Sequence, residues 1–220
     1  MTYQPAPLPA ATLQCARDLF PHVARGTVYL NHAGTSPLSS RVVEAMTRYL
    51  HERSEGMIET YQHDLPMVAE CKESLRSLIN AETPDRIALS ANTSDAINIV
   101  AAGIPWTSGD RILLNTSEFP ANVWPYLNLQ RHGVRIDFIP APDGRVTIDR
   151  ILDRLTPRTR VLALSAVQFL SGYRADLETI GDICRSRGII FAVDGIQAVG
   201  AARINVQKMK IDALAAGGQK

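Results

Sequence analysis

Short apolar runs alternate with helical patterns from residue 86 to the end of the chain. The runs have the length of strands, and the segments between them repeat apolar residues at the spacing of an amphipathic helix. Strands separated by helices are typical of βαβ units, so the pattern predicts an α/β fold with a mainly parallel sheet and helices on both faces. The predicted strands are 86–90, 111–116, 135–139, 160–166, 189–194 and 212–216, and between them the pattern predicts helices over 94–103, 121–132, 148–155 and 175–187 and a shorter turn near 196–200.

The N-terminal part of the chain has a different pattern. Residues 1–12 are rich in proline and predict an irregular arm, which a short apolar segment over residues 13–23 follows. Apolar residues then recur at helical spacing from Ser39 to His51, with Ser39 placed to cap the helix. A second helix is predicted from residue 66 to residue 79. We therefore expect helices and loops ahead of the sheet.

Composition narrows the class of protein. The 220 residues are 45% hydrophobic and 20% charged, and the net charge of +1 gives no reason to expect a nucleic acid or an anionic membrane surface as a partner. No apolar run approaches the roughly 20 residues that span a bilayer, and the first residues do not resemble a signal peptide, so we expect a cytoplasmic protein. Three cysteines without a CxxC pair suggest neither a disulfide framework nor a zinc site, and no metal is predicted.

Ligands of parallel sheets bind beyond the carboxyl ends of the strands, so the loops there are the places to seek chemistry. The loop over residues 90–98 ends one predicted strand and begins a helix with Thr93 and Ser94, whose hydroxyls could bind a phosphate at the helix N-terminus. These residue types also cap helices without any ligand. The chain has no GxGxxG, and Gly195 to Gly200 lack the Lys-Ser or Lys-Thr of a P-loop, which disfavours a nucleotide-binding domain.

Three further segments could carry chemistry. Phe119 follows a strand, where it could stack on a planar ring or serve as a core residue. Asp194 ends an apolar strand, where its charge needs a positive partner such as a protonated pyridine nitrogen, unless it only caps the following turn. Lys220 follows small residues and could form a Schiff base with a carbonyl cofactor, although a terminal lysine can equally be solvated and inert.

In this order the segments resemble the class V aminotransferase and cysteine desulfurase family of pyridoxal-phosphate enzymes of fold type I. Single motifs are weak, but their order and spacing agree with the family over about nine-tenths of the chain. The matching segments are residues 28–37, 92–98, 118–122, 194–197 and 217–220.

The resemblance implies pyridoxal 5'-phosphate as the cofactor and a role for most of these residues. Lys220 would form the Schiff base and move the substrate's α-proton, and Asp194 would hold the pyridinium nitrogen. Phe119 would stack on the ring. The remaining assignments are Gln197 to the phenolic oxygen, Thr93 and Ser94 to the phosphate with Gln219 assisting where many relatives have histidine, and Asn31, His32 and Gly34 to the substrate.

Two departures from the family pattern affect the predicted reaction. Cysteine desulfurases usually have a histidine where this chain has Phe119, which can stack but cannot transfer a proton, so an aminotransferase is favoured. Relatives often have an asparagine near the ring in the loop after the strand at 160–166, where this chain has residues 168–172 instead, and Gln168 is a candidate substrate-side residue. A cysteine desulfurase or selenocysteine lyase is one alternative, and a non-catalytic α/β binding module is the other. The step that follows the Schiff base stays open among transamination, elimination and epimerisation.

Domain organisation and partners follow from the same resemblance. We expect an N-terminal arm and substrate-side loop over residues 1–35 and a cofactor-binding large domain over residues 36–220. Family members are about twice this length, so a C-terminal small domain with the substrate-carboxylate arginine is expected outside this chain. The expected partners are a small amino-acid or amine substrate and a second copy in a homodimer.

Overall fold

The computed structural model describes residues 9–220. Residues 1–8, which hold most of the predicted irregular arm, lie outside the described residues. The chain divides into two compact units, which we call the N-terminal unit (residues up to Leu65 together with Gln219–Lys220) and the sheet unit (Pro66–Gly218). Each unit is described by itself.

A five-stranded parallel sheet organises the sheet unit. Its strands lie side by side in the order β2-β1-β3-β4-β5, and every neighbouring pair is parallel. The predicted α/β fold with a mainly parallel sheet is therefore confirmed. The strands are β1 (Arg111–Asn115), β2 (Arg135–Ile139), β3 (Thr159–Ser165), β4 (Ile190–Asp194) and β5 (Ala213–Ala215).

The middle residues of the central strands are apolar because both faces of the sheet are covered. Leu113, Leu164 and Phe191 belong to one buried cluster, whereas Ile112 and the alternate residues of β3 and β4 belong to a second. Successive side chains of a strand point to opposite faces, so each strand supplies both clusters. Full burial of such a side chain contributes about 1.5–3 kcal/mol, which makes this sheet the main source of stability in the unit.

Helices cover the sheet at positions close to those predicted. The helices are α5 (Thr93–Gly103), α6 (Trp124–Leu127), α7 (Ile148–Leu152) and α8 (Leu177–Arg187). The single helix predicted over 121–132 is wrong: α6 is flanked by 3-10 turns at Pro120–Asn122 and Asn128–His132. Pro125 lacks the N–H that a continuous helix over residues 121–132 would use there, which explains the interruption before α6.

The strand predicted over residues 86–90 is also wrong. Pro84–Arg86 forms a 3-10 turn, and residues 87–90 are irregular. Ile87 is buried but Leu89 is 55% exposed, so the segment does not present the buried face of a strand. An apolar run indicates a tendency to burial, but strand formation also needs a neighbouring strand to pair with.

The N-terminal unit is helical. Its helices are α1 (Ala10–Asp18), α2 (Pro21–Ala24) and α3 (Ser40–Ser54), and α4 (Tyr61–Ile79) begins in it. The irregular arm predicted to residue 12 is wrong for residues 10–12, which belong to α1. The Ser39 hydroxyl accepts a hydrogen bond from the Val42 N–H at 3.4 Å, which confirms the predicted cap of α3. Across residues 9–220, every helix is too short or too polar to cross a bilayer.

Candidate active site

The carboxyl ends of β1, β3 and β4 meet at one edge of the sheet because all strands are parallel. Ser165 and Asp194, the last residues of β3 and β4, are direct neighbours in the strand register. Both are buried, although apolar residues precede them in their strands. Polar groups buried at this edge make it the candidate site of the sheet unit.

The first turn of α5 forms one side of this candidate site. Asn92 caps the helix by accepting a hydrogen bond from the Asp95 N–H at 2.9 Å, and Asp95 accepts one from the Ala91 N–H at 3.3 Å. The ordinary capping role therefore falls to Asn92 and Asp95. Thr93 is 5% exposed, and its buried hydroxyl has no hydrogen-bond partner. An unpaired buried hydroxyl is costly, so its position at a helix N-terminus fits an anion that would pair with it.

An open hollow of about 460 Å³ lies beside this turn. Ser94 and Asn98 of α5 line one part of it, and Phe119 and Trp124 line another. Phe119 is 45% exposed, so it is not a core residue. Its ring meets that of Phe169 edge-on, with centroids 5.2 Å apart and planes at 80°. An exposed aromatic ring that a neighbouring ring orients is suited to stacking on a planar ligand.

Asp194 is the buried carboxylate at the end of β4 and is 2% exposed. Its carboxylate accepts a hydrogen bond from the Ile196 N–H at 3.0 Å, and its backbone carbonyl accepts one from the Ala166 N–H at 2.8 Å. Gly195 follows directly, and a Cβ there would lie 2.7 Å from the Leu214 Cδ1. This turn is therefore closely packed, and the Ile196 N–H holds the carboxylate of Asp194. Gln197 is half-buried in the same turn.

The pKa of the Tyr126 hydroxyl responds to the negative charges at this edge of the sheet. Tyr126 of α6 is buried, and burial raises the pKa of its hydroxyl well above the usual range. The negative charges of Asp194 and Glu118 raise this pKa further. The sequence does not predict this role for Tyr126, because the residues around a tyrosine in a short helix do not show which charged groups lie near it in the fold.

Glu118 is the centre of a buried hydrogen-bond network. Its carboxylate accepts hydrogen bonds from side chains at the ends of two different strands and from one backbone N–H. The sequence pattern predicts no role for Glu118, although the run of polar residues after buried strands is a signal that could have pointed to it. The donors are the Asn115 amide, the Asn122 amide at 3.2 Å, the Ser165 N–H at 2.8 Å, the Ser165 hydroxyl at 2.6 Å and the Gln168 amide at 2.8 Å.

Gln168 lies inside this network rather than at the surface. It is 2% exposed, and its Nε2 donates to Glu118. Its Oε1 is buried and has no hydrogen-bond partner. The sequence offered Gln168 as a tentative substrate-side residue, and the structure places it in the sheet unit beside Glu118 and next in sequence to Phe169, which contacts Phe119.

The other residues proposed for the site belong to the N-terminal unit. Asn31, His32 and Gly34 are exposed in a loop that the Tyr29 hydroxyl holds by donating to the carbonyls of Asn31 (3.1 Å) and Thr35 (2.9 Å). The His32 ring packs edge-on against Tyr29, with centroids 5.1 Å apart. This loop is therefore ordered by its own contacts while its polar side chains stay accessible.

Gln219 and Lys220 join this loop within the same unit. The Gln219 carbonyl accepts hydrogen bonds from the Ser36 N–H at 2.9 Å and from the Thr35 hydroxyl at 3.1 Å. Lys220 is partly exposed. Within this unit the structure therefore brings Gln219 to the loop of residues 28–37, although the two are far apart in sequence.

Comparisons with known proteins agree with this architecture. The family model for class-V aminotransferases matches residues 28–220. A probable cysteine desulfurase of Methanothermobacter thermautotrophicus is 32% identical over 201 residues, which are 89% of this chain and 50% of that protein. The cysteine desulfurase IscS of Methylobacillus flagellatus is 30% identical, again over 89% of this chain and 50% of the relative.

Solved structures give the same result. The cysteine desulfurase CsdA of Escherichia coli superposes with a TM-score of 0.83 at 27% identity, over 97% of this chain and 55% of that one. The cystine C-S lyase C-DES, solved with its product cysteine persulfide, gives 0.84 at 26% identity over 91% of this chain and 55% of that one. This chain thus spans about half the length of the proteins it matches. The match over residues 28–220 shows that the chain belongs to the class-V aminotransferase family.

Proposed function

We propose that the full-length protein is a pyridoxal 5'-phosphate enzyme that acts on an amino acid or a related primary amine. The observation that carries this proposal is the unpaired, buried Thr93 hydroxyl in the first turn of α5, beside a hollow that the exposed ring of Phe119 lines. Together they offer a phosphate site and a stacking surface, which are the two features by which a flat phosphorylated cofactor is held.

The residues of the sheet unit fit this cofactor in charge and in hydrogen bonding. Thr93 and Ser94 would bind its phosphate, and Phe119 would lie on its ring. Asp194 would hold a proton on the pyridine nitrogen, since a buried carboxylate stabilises an adjacent cation. Gln197 is assigned to the phenolic oxygen. When bound, the cofactor supplies an electron sink for negative charge that develops at the substrate Cα.

Lys220, Gln219 and the loop at Asn31 to Gly34 complete the proposal. Lys220 is the residue that binds the cofactor covalently and moves the proton at the substrate Cα, since a lysine amine can act both as a nucleophile and as a base. Gln219 assists at the phosphate. Asn31, His32 and Gly34 face the substrate, and their exposure in an ordered loop supports this assignment.

An aminotransferase is favoured as the reaction type because Phe119 has no proton to transfer. A cysteine desulfurase is the second candidate, and the relatives that match this chain favour it. Release of sulfide and alanine from cysteine would support the desulfurase, whereas amino-group transfer to a 2-oxo acid would support the aminotransferase.

We also propose that the protein is a cytoplasmic homodimer. Cell fractionation would test its location, and light scattering would test its oligomeric state.

The first prediction concerns the absorption spectrum of the purified full-length protein. We expect a band at about 420 nm that Lys220→Ala removes, because the band requires a covalently bound cofactor. Lys208→Ala is the matched control, since the Lys208 ammonium pairs with Glu178 at 2.8 Å on the surface of the sheet unit, and it should keep the band.

Two results would contradict the proposal. Failure of pyridoxal phosphate to copurify or bind would leave the non-catalytic binding module as the better account. A band that persists in Lys220→Ala at full intensity would show that another amine carries the cofactor.

A further inference from the structure

The chain after β5 has little regular structure to fix Lys220. β5 ends at Ala215, and residues 216–220, all of which the structure describes, form neither a helix nor a strand. Gly218 lies in this segment, and a Cβ there would lie more than 4 Å from every described heavy atom outside its chain neighbours. A backbone that no side chain packs around has many accessible conformations. The position of Lys220 therefore depends on the contacts of the residue next to it.

The carbonyl oxygen of Gln219 makes these contacts. It accepts one hydrogen bond from the Ser36 N–H at 2.9 Å and a second from the Thr35 hydroxyl at 3.1 Å. Thr35 lies 184 residues before Gln219 in the chain. A carbonyl oxygen has two lone pairs, so these two donors use its full capacity as an acceptor.

The planarity of the peptide bond carries this constraint to Lys220. The Gln219 carbonyl shares one plane with the nitrogen and the Cα of Lys220. Two hydrogen bonds to the carbonyl oxygen therefore restrict the position of the Lys220 Cα as well. Because an amine must reach its target carbon at a defined distance and direction, a restricted Cα favours covalent attachment.

The loop that provides the two donors is itself ordered. The Tyr29 hydroxyl donates to the carbonyls of Asn31 and Thr35, and the Gly34 N–H donates to the Asn31 carbonyl at 3.0 Å. Donors on an ordered loop lose little conformational freedom when they hold an acceptor, so this loop can fix the Gln219 carbonyl at a small entropic cost.

We propose that Thr35 is a positioning residue that holds the Gln219 carbonyl, together with the Ser36 N–H, and so fixes Lys220 for covalent attachment of the cofactor. This inference rests on the proposed function, in which Lys220 is the attachment residue. Thr35 acts through the backbone and not through a contact with the cofactor. The loop of residues 28–37 therefore has a second role besides facing the substrate, because it keeps the lysine in place.

The test measures the rate of covalent attachment rather than turnover. Pyridoxal phosphate is added to the full-length apoprotein, and the rise of the band at about 420 nm gives the rate constant. Thr35→Val removes the hydroxyl donor and keeps the shape of the side chain, so the rate constant should fall about fivefold, as expected for one lost hydrogen bond.

Two further variants control this measurement. Thr35→Ser keeps a hydroxyl that can donate to Gln219, so its rate constant should stay within about twofold of that of the unmodified protein. Thr27→Val is the matched control, because Thr27 is exposed just ahead of the same loop, and it should leave the rate constant unchanged.

A second measurement separates placement of the lysine from binding of the cofactor. In Lys220→Ala the cofactor can bind only noncovalently, and fluorescence gives its dissociation constant. Adding Thr35→Val to Lys220→Ala should change this constant by less than about twofold, because the lost hydroxyl contacts only the backbone. The Gln219 side chain can still reach the phosphate by rotation about its own bonds.

Three results would overturn the inference. The first is an unchanged rate constant in Thr35→Val, and the second is a slowed rate constant that Thr35→Ser does not restore. The third is a loss of noncovalent affinity as large as the loss of rate, which would make the hydroxyl part of the binding site or of the fold. Failure of the unmodified protein to bind pyridoxal phosphate would instead refute the proposed function.

Discussion

The sheet unit and the N-terminal unit use apolar residues in opposite ways. In the sheet unit the middle of β3 is fully buried, and even the polar residues at the strand ends are inaccessible. In the N-terminal unit α3 has no buried residue, and Val28 and Leu30 are 82% and 87% exposed. The comparison teaches that an apolar pattern states which side chains favour burial, whereas tertiary neighbours decide whether burial occurs.

The largest expected effect contrasts a core residue of one unit with an apolar residue of the other. Phe191→Ala in β4 should lower the free energy of unfolding by about 3–5 kcal/mol, because a fully buried ring leaves a cavity. Met46→Ala in α3 should change it by less than about 0.5 kcal/mol, since Met46 is 56% exposed. Urea denaturation measures both. Equal losses would show that α3 is packed against a partner in solution.

The pH dependence of stability should reflect a buried carboxylate of the sheet unit. Burial alone would raise the pKa of Asp110, but hydrogen bonds from Thr107 and the positive charges of Arg160 and Arg158 lower it overall. A lowered pKa in the folded state means that Asp110 contributes stability above its unfolded pKa and loses that contribution as the pH falls through its folded pKa. Asp110→Asn should therefore cost about 1 kcal/mol at pH 7 and less under acidic conditions.

Urea denaturation from pH 7 down to acidic pH checks this expectation for Asp110. Asp18→Asn is the control in the N-terminal unit, because Asp18 lies at the exposed end of α1. A loss in Asp110→Asn that stays constant across the pH range would argue against the ionised carboxylate as its cause.

The smallest expected effect compares two helix caps. Asp176 caps α8 of the sheet unit by accepting from the Thr179 N–H at 3.2 Å and the Thr179 hydroxyl at 2.7 Å, whereas Ser39 caps α3 by one longer hydrogen bond. Asp176→Ala should cost about 1 kcal/mol and Ser39→Ala about half of that. Amide hydrogen exchange in α3 and α8 measures the loss of stability that each substitution causes. A larger loss in Ser39→Ala than in Asp176→Ala would contradict the expectation that the cap in the sheet unit is the stronger one.

The sequence by itself determined the strands of the sheet and the nature of their ends. β2 lies at 135–139 as predicted, because an alternating run between turn residues specifies a strand locally. For the same reason the sequence predicts Asp194 at the end of a strand and Phe119 in the segment after one, and the structure places both residues there. The predicted strand at 86–90 and the predicted helix at 121–132 failed where pairing partners and prolines, rather than periodicity, controlled the backbone.

Only the tertiary structure decided which polar residues meet. Glu118 and Gln168 are 50 residues apart, and they touch because β1 and β3 are neighbours in the sheet. No local pattern encodes that pairing, since strand order depends on how the whole chain packs. The unpaired Thr93 hydroxyl and the fixed Gln168 amide are likewise invisible in sequence, because a missing hydrogen bond becomes apparent only when every neighbouring group is in place.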